Sequence, residues 1–134
     1  DVGCGSGILS IAAAKLGAGF VFARDIDPAA IHATRKNAKV NGIMDSFEAE
    51  IGSYLTGVPG KADLIVCNIV SGAIIEFSPQ AFSKLLPGGI FIASGIIADR
   101  TEEVERELKA AGFSLLETLV RGEWVAMAAR KGND

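Results

Sequence analysis

The chain has 134 residues, 49% of them hydrophobic and 22% charged, and a formal net charge of −3, proportions that suit one globular domain able to bury most of its apolar surface. It holds no long basic run and no interleaving of aromatic with basic residues, so charge does not indicate nucleic acid as a partner. No apolar run reaches the roughly 18 to 20 residues that cross a bilayer, and the start lacks the basic-then-apolar layout of a signal peptide. Cys4 and Cys67 are too few and too isolated for a disulfide framework or a CxxC metal site. Free thiols in a cytoplasmic protein, with no metal bound, are the expectation.

Along the chain, short strand-like runs alternate with helix-like stretches, the pattern of an α/β sandwich with a mostly parallel sheet. The opening Asp1-Val2-Gly3-Cys4-Gly5-Ser6-Gly7 leads into a predicted helix from Ile8 to Leu16. Ile8, Ile11, Ala12 and Leu16 share one face of it, and Gly17 is its stop. Phe20 to Arg24 reads as a strand. Asp27-Pro28 then opens a second helix, the aspartate as N-cap and the proline where no backbone N–H is needed, running to about Asn41-Gly42. Ser46 to Glu50 and Leu64 to Cys67 are further strands, the latter continuously apolar as a strand buried on both faces is. Ser78-Pro79 opens another helix by the same capping logic, carrying Phe82, Leu85 and Leu86 to a turn at Pro87-Gly88-Gly89. Ile90 to Ala93 follows as a strand. Asp99 and Glu102 have the spacing of a capping box ahead of Val104, Leu108 and Ala111, and Gly112 ends that helix. Phe113 to Val120 and Trp124 to Ala129 read as a closing antiparallel hairpin. A single domain over residues 1–134 is expected. A glycine loop of this kind normally follows a buried strand of about five residues, of which only Asp1 and Val2 are present, so the chain reads as a piece of a longer protein, poorly stable and inactive alone.

Three places carry candidate chemistry. Gly3, Gly5 and Gly7 alternate, whereas the dinucleotide fingerprint sets its third glycine three positions after its second, and no Gly-Lys-[Ser/Thr] follows. A nucleoside without a pyrophosphate therefore fits this loop better than NAD or ATP. Asp25 ends the second strand, where an acidic side chain can accept hydrogen bonds from both hydroxyls of a ribose. Asp27 competes for that role, but its place before Pro28 makes it the better helix cap. Asn68 directly follows the apolar strand and offers an amide at the carboxyl end, where ligands of open α/β sheets bind; a turn asparagine bonded to local backbone is the alternative. The remaining groups read as ordinary: His32 as exposed on the second helix rather than a general base, Trp124 as core of the hairpin with the border of a substrate groove as the alternative, Cys4 and Cys67 as small buried apolar groups near the cofactor rather than nucleophiles, and Glu102 to Glu107 as a solvated helix face.

The segments DVGCGSGILSIAAAKLGA, DIDPAAIHATRKNAKVNG, DLIVCNIVSG, LLPGG, SG and RGEWVAM follow one another in this order. Together, over nearly the whole chain, they resemble the catalytic domain of the bacterial ribosomal protein L11 methyltransferases. The resemblance implies a Rossmann-like class I methyltransferase sandwich, S-adenosylmethionine as cofactor, and methyl transfer to lysine and N-terminal amino groups of one ribosomal protein. It also implies a separate N-terminal domain that recognises that protein, and a threonine contact to the cofactor from the segment before the first strand. Carried over position by position, it gives cofactor contacts at Asp1, Gly3, Gly5, Gly7, Asp25, Ile26 and Asn68, with Asn68 also the catalytic residue facing the methyl group and the incoming amine. Two positions depart from the pattern. Val70 stands where the family usually has leucine, and Ile51-Gly52-Ser53 stands where many class I methyltransferases place an aspartate near the adenine amine. A small molecule or RNA as acceptor, and a non-catalytic nucleoside-binding module, are the alternative readings. The absence of Asn-Pro-Pro-[Tyr/Phe] after the Asp63 strand disfavours the planar-amine enzymes of nucleic acids.

Overall fold

A computed structural model describes all residues from 1 to 134, which form two compact units, Asp1–Gly57 and Val58–Asp134. The first unit holds helix α1 (Ile8–Lys15), strand β1 (Val21–Asp25), helix α2 (Pro28–Val40) and strand β2 (Phe47–Ile51). β1 and β2 pair in parallel from Val21 opposite Phe47 to Asp25 opposite Ile51, and Val2 adds a single parallel bridge to Arg24. Because side chains alternate along a strand, Val21, Ala23, Phe47 and Ala49 turn to one face. There they form a core with Ile31 and Ala38 of α2.

α2 begins as its sequence predicts. Asp27 Oδ1 accepts from the Ala29 N–H at 2.9 Å, Pro28 takes a first-turn position, and Gly42 at φ 70° follows the end. α1 has the expected span but not the expected face. Ile8 and Leu16 are 69% and 88% exposed, and the buried residue of the helix is Ser10. The helix is apolar nearly all round, so periodicity alone selects no face, and the hydrogen bonds of Ser10 described below decide it.

The second unit contains β3 (Ala62–Asn68), α3 (Ser71–Lys84), β4 (Leu85–Ile97), α4 (Thr101–Ala110), β5 (Ser114–Arg121) and β6 (Trp124–Arg130). The strand order is β3-β4-β6-β5. β3 runs parallel to β4, while β6 is antiparallel to both β4 and β5, so the closing hairpin is as expected. Phe91 anchors this core, its ring 5.4 Å from that of Phe77 and 5.5 Å from that of Phe113.

Five local expectations are corrected here. α3 starts at Ser71, not Ser78, and Pro79 lies inside it. An interior proline leaves the carbonyl four residues back without its donor; that carbonyl belongs to Ile75, and the Ser78 hydroxyl donates to it at 3.0 Å. Leu85 begins a strand rather than ending a helix, and Pro87-Gly88-Gly89 falls within β4 at an irregularity of the pairing with β3, with Gly88 N–H donating to Lys131 O at 3.0 Å. Asp99 is no cap: it lies in a short 3-10 turn, Ala98–Arg100, and the Thr101 hydroxyl donates to Ala98 O at 2.7 Å. β3 buries Ile65 and Cys67 but leaves Leu64 44% exposed, so it is covered on one face only. Trp124, expected in the core, is 57% exposed.

Candidate functional site

Gly3, Gly5 and Gly7 have φ of 72°, 54° and 87°, the left-handed region in which a side chain is strained. The loop they make is tied down at nearly every step. The N–H groups of Gly3 and Cys4 donate to Arg24 O at 2.9 and 3.0 Å, that of Gly5 to Asp25 Oδ2 at 3.0 Å, and that of Gly7 to Cys4 O at 2.7 Å. Asp1 supports the loop from below: its Oδ2 accepts from the N–H and the hydroxyl of Ser10 at 3.1 and 2.7 Å. This is why a serine, and not one of the surrounding apolar residues, is the buried residue of α1.

α2 holds the other side of the loop, through residues the sequence reading passed over. The buried Thr34 hydroxyl lies 2.9 Å from Gly5 O and 3.3 Å from Cys4 Sγ, and Asn37 Nδ2 donates to Ser6 O at 2.7 Å. A Cβ on Gly7 would come within 2.9 Å of Thr34 Cγ2, so close packing as well as φ calls for glycine there. The available signal was Thr34 itself: it falls between Ile31 and Ala38 on the core face of α2, where a polar side chain needs a partner.

Asp25, half-buried at the end of β1, is brought against this loop. Its two oxygens accept from the N–H groups of Gly5 and Asp27, each at 3.0 Å. A carboxylate has about four lone-pair positions, so two remain for a ligand. Asp27 is committed to capping α2. Ile26 between them is 74% exposed, an apolar side chain left in the open beside the carboxylate.

In the second unit Asn68 is the last residue of β3, exposed and opposite Ser94 of β4. Gly95, at φ 88°, is what lets it sit there. A Cβ on Gly95 would stand 2.6 Å from Ile69 O and 2.8 Å from Asn68 Oδ1. The Ser94-Gly95 pair in the sequence is thereby explained as a backbone that must pass close under the β3–α3 turn. Both cysteines are buried; burial raises the Cys4 thiol above its usual range and pushes Cys67 up to about 12, so neither is a thiolate nucleophile near neutral pH. His32 is exposed, and Glu103, Glu107 and Glu105 of α4 pair with Arg100, Arg106 and Lys109 on a solvated face.

A glycine loop opening a helix, an acidic residue closing the next strand and a further strand that ends in asparagine before its helix belong to the Rossmann-like methyltransferase fold, and solved structures agree. The chain superposes on an RNA methyltransferase from Salinibacter ruber, solved in complex with S-adenosyl-L-homocysteine, with a TM-score of 0.76 at 21% identity, over 100% of this chain and 80% of that one. It superposes more closely on the ribosomal protein L11 methylase of Lactobacillus delbrueckii subsp. bulgaricus, with a TM-score of 0.94 at 40% identity, covering 98% and 68% of the two chains. Residues 1–132 match the sequence model of the ribosomal protein L11 methyltransferase (PrmA) family, and the chain belongs to that family. Relatives named ribosomal protein L11 methyltransferase include one from an Exiguobacterium species, 47% identical over 132 residues, and one from Bacillus subtilis, 46% identical over 131. In both cases the match takes in 98% of this chain and 42% of the relative, so the chain spans about two fifths of the length of these proteins.

Proposed function

We propose that the protein containing this chain is an S-adenosylmethionine-dependent methyltransferase acting on amino groups of ribosomal protein L11 in the cytoplasm. The observation that carries this reading is family membership over residues 1–132. Two structural features support it. The Asp25 carboxylate keeps two acceptor positions in reserve, the number a ribose diol uses, and no helix of the chain is long and apolar enough to cross a membrane.

When bound, S-adenosylmethionine would supply a methyl group carried on a sulfonium: the neutral amine nitrogen would bond to the methyl carbon in line as the carbon–sulfur bond breaks, with S-adenosylhomocysteine leaving. The chain's own residues position and select. Asp25 accepts from the ribose hydroxyls, Gly3, Gly5 and Gly7 let the ligand lie on bare main chain, and Ile26 gives the nucleoside an apolar flank. Asp1 acts one step back, through Ser10 and the loop. Asn68 accepts an N–H from the acceptor amine through its side-chain oxygen, so that the nitrogen lone pair is directed at the methyl group; alignment of this kind accounts for much of what an enzyme can add to such a displacement. A lysine amine has a pKa of about 10.4 in water, and desolvation on entering the site favours its neutral form, with water taking the proton.

The full-length protein incubated with methyl-labelled cofactor and L11 is expected to label L11. Asn68→Ala should lower kcat at saturating cofactor while leaving cofactor affinity within about two-fold. Label appearing on RNA or a small molecule, with L11 unlabelled, would replace the acceptor; tight cofactor binding without transfer to any of these would make the protein a nucleoside-binding module.

A further inference from the structure

Arg24 is the one charged residue among the buried side chains, 6% exposed, and it lies between Ala23 and Asp25 on β1. Its main chain serves the glycine loop: the N–H donates to Asp1 O at 2.9 Å and the carbonyl accepts from Gly3 and Cys4. Its guanidinium serves a different segment. Nη1 donates to Ile51 O at 3.4 Å and pairs with the Glu50 carboxylate at 3.5 Å, Nη2 donates to Thr56 O, and Nε is buried with no partner. The segment after β2 is folded closely around it. A Cβ on Gly52 would stand 2.7 Å from Arg24 Cζ and 2.9 Å from both Nη atoms, and one on Gly57 would stand 3.5 Å from Nη2. Gly52 N–H donates to Asp25 O at 3.0 Å, so this segment begins directly beside the proposed ribose ligand.

A buried guanidinium with one N–H unpaired is poorly explained by stability, since an apolar side chain of similar volume commonly serves a core as well or better. It is well explained as a clamp. The glycine loop and the 51–57 segment flank Asp25 on its two sides, and a nucleoside held by its ribose has two arms, the base and the sulfonium-bearing chain. Ile51-Gly52-Ser53 offers a base no acidic side chain but does offer main-chain donors and acceptors, and such groups discriminate only as accurately as the segment is held.

We propose that Arg24 is a positioning residue for the adenine half of the cofactor: its guanidinium fixes the 51–57 segment so that main-chain groups around Gly52 and Ser53 read the six-position of the base. The proposal rests on the cofactor reading given above. It is tested in the full-length protein by calorimetry with S-adenosylhomocysteine, its inosine counterpart, in which a carbonyl replaces the amine of the base, and its 2′-deoxy counterpart. Arg24→Met keeps the apolar stem of the side chain and removes the guanidinium with every donor. It is expected to weaken S-adenosylhomocysteine about ten-fold and to remove most of the preference over the inosine form, while the preference over the 2′-deoxy form, set by Asp25, stays as in the parent. Arg24→Lys should recover part of the lost preference. Should Arg24→Met fail to fold, Arg24→Lys carries the test alone, since it keeps the charge but cannot span Ile51 O, Thr56 O and Glu50 together, and it must lose part of the preference over the inosine form and none over the 2′-deoxy form. Undiminished preference for the amine-bearing base in a folded variant, or parallel loss against both counterparts, overturns the role of Arg24 and leaves the cofactor reading intact. Failure of the parent protein to bind S-adenosylhomocysteine at all overturns both.

Discussion

Replacing Thr34 by Val removes one hydroxyl and almost nothing else. Thr34 is fully buried, and its Oγ1 lies closer to Gly5 O, at 2.9 Å, than to Cys4 Sγ, at 3.3 Å, so the lost bond is chiefly the one to the glycine carbonyl. Valine has nearly the same shape, so no cavity forms, and the cost is that of a carbonyl left without its donor, about 1 to 3 kcal/mol. At a typical slope of about 2 kcal/mol per molar urea, the unfolding midpoint should fall by about 0.5 to 1.5 M with the slope unchanged. Cofactor affinity should fall as well, because Gly5 also donates to Asp25 Oδ2; a three- to ten-fold loss, about 0.6 to 1.4 kcal/mol, is expected. Calorimetry with S-adenosylhomocysteine beside the urea titration separates the two effects. A midpoint and an affinity both equal to those of the parent would show that the loop holds its shape without α2, and would refute the reasoning.

Asp25→Ala should cost about 1.5 to 3 kcal/mol of cofactor binding, whereas Asp27→Ala should leave affinity nearly intact and cost about 0.5 to 2 kcal/mol of stability through the lost cap; the opposite result in calorimetry would move the ribose to Asp27. Ser78→Ala should destabilise by about 1 to 3 kcal/mol, since the Ile75 carbonyl then lacks both a proline N–H and the serine donor, and a thermal midpoint equal to the parent's would mean that water replaces the hydroxyl. Cys67 should resist alkylation at pH 8 in the native protein and react in urea. Its folded pKa of about 12 lies above the ordinary 9.0, so the folded state keeps a proton that the unfolded state releases; the associated stability is whole below pH 9 and is lost as pH rises toward 12. A Cys67→Ala variant should show a shallower decline over that range, and an equal slope would count against a buried, protonated thiol.

Elements whose signals are local were legible in the sequence. Asp27-Pro28 defines a cap that needs nothing outside its own turn, and β5 and β6 are joined by a tight turn at Arg121-Gly122-Glu123. Signals that depend on tertiary context were not. Ser78-Pro79 has the composition of a helix start, yet α3 runs through it because the serine hydroxyl replaces the missing donor. Asp99 and Glu102 have the spacing of a capping box, and a 3-10 turn occupies the place where the cap would act. The same division holds at the site. Gly3, Gly5, Gly7 and Asp25 were readable because conformation and strand-end position mark them. Thr34, Asn37 and Ser10 were hidden, since each acts on a main-chain atom or carboxylate far off in the sequence. Arg24 looked like an ordinary strand residue, and only its burial distinguishes it.

The fastening of the glycine loop bears on which nucleosides can settle there. Loops that take ATP or NAD present their amides outward to phosphate oxygens. Here the amides of Gly3, Cys4, Gly5 and Gly7 are already given to acceptors within the chain, and that of Ser10 in the first turns of α1 is given to the Asp1 carboxylate. A phosphate arriving at those five amides would shed its water and receive no donor in return, facing the negative charge of Asp1 and Asp25 instead. Those five amides therefore make no phosphate site, and the loop, with Asp1 and Asp25 beside it, suits a ligand that bears a ribose and no phosphate.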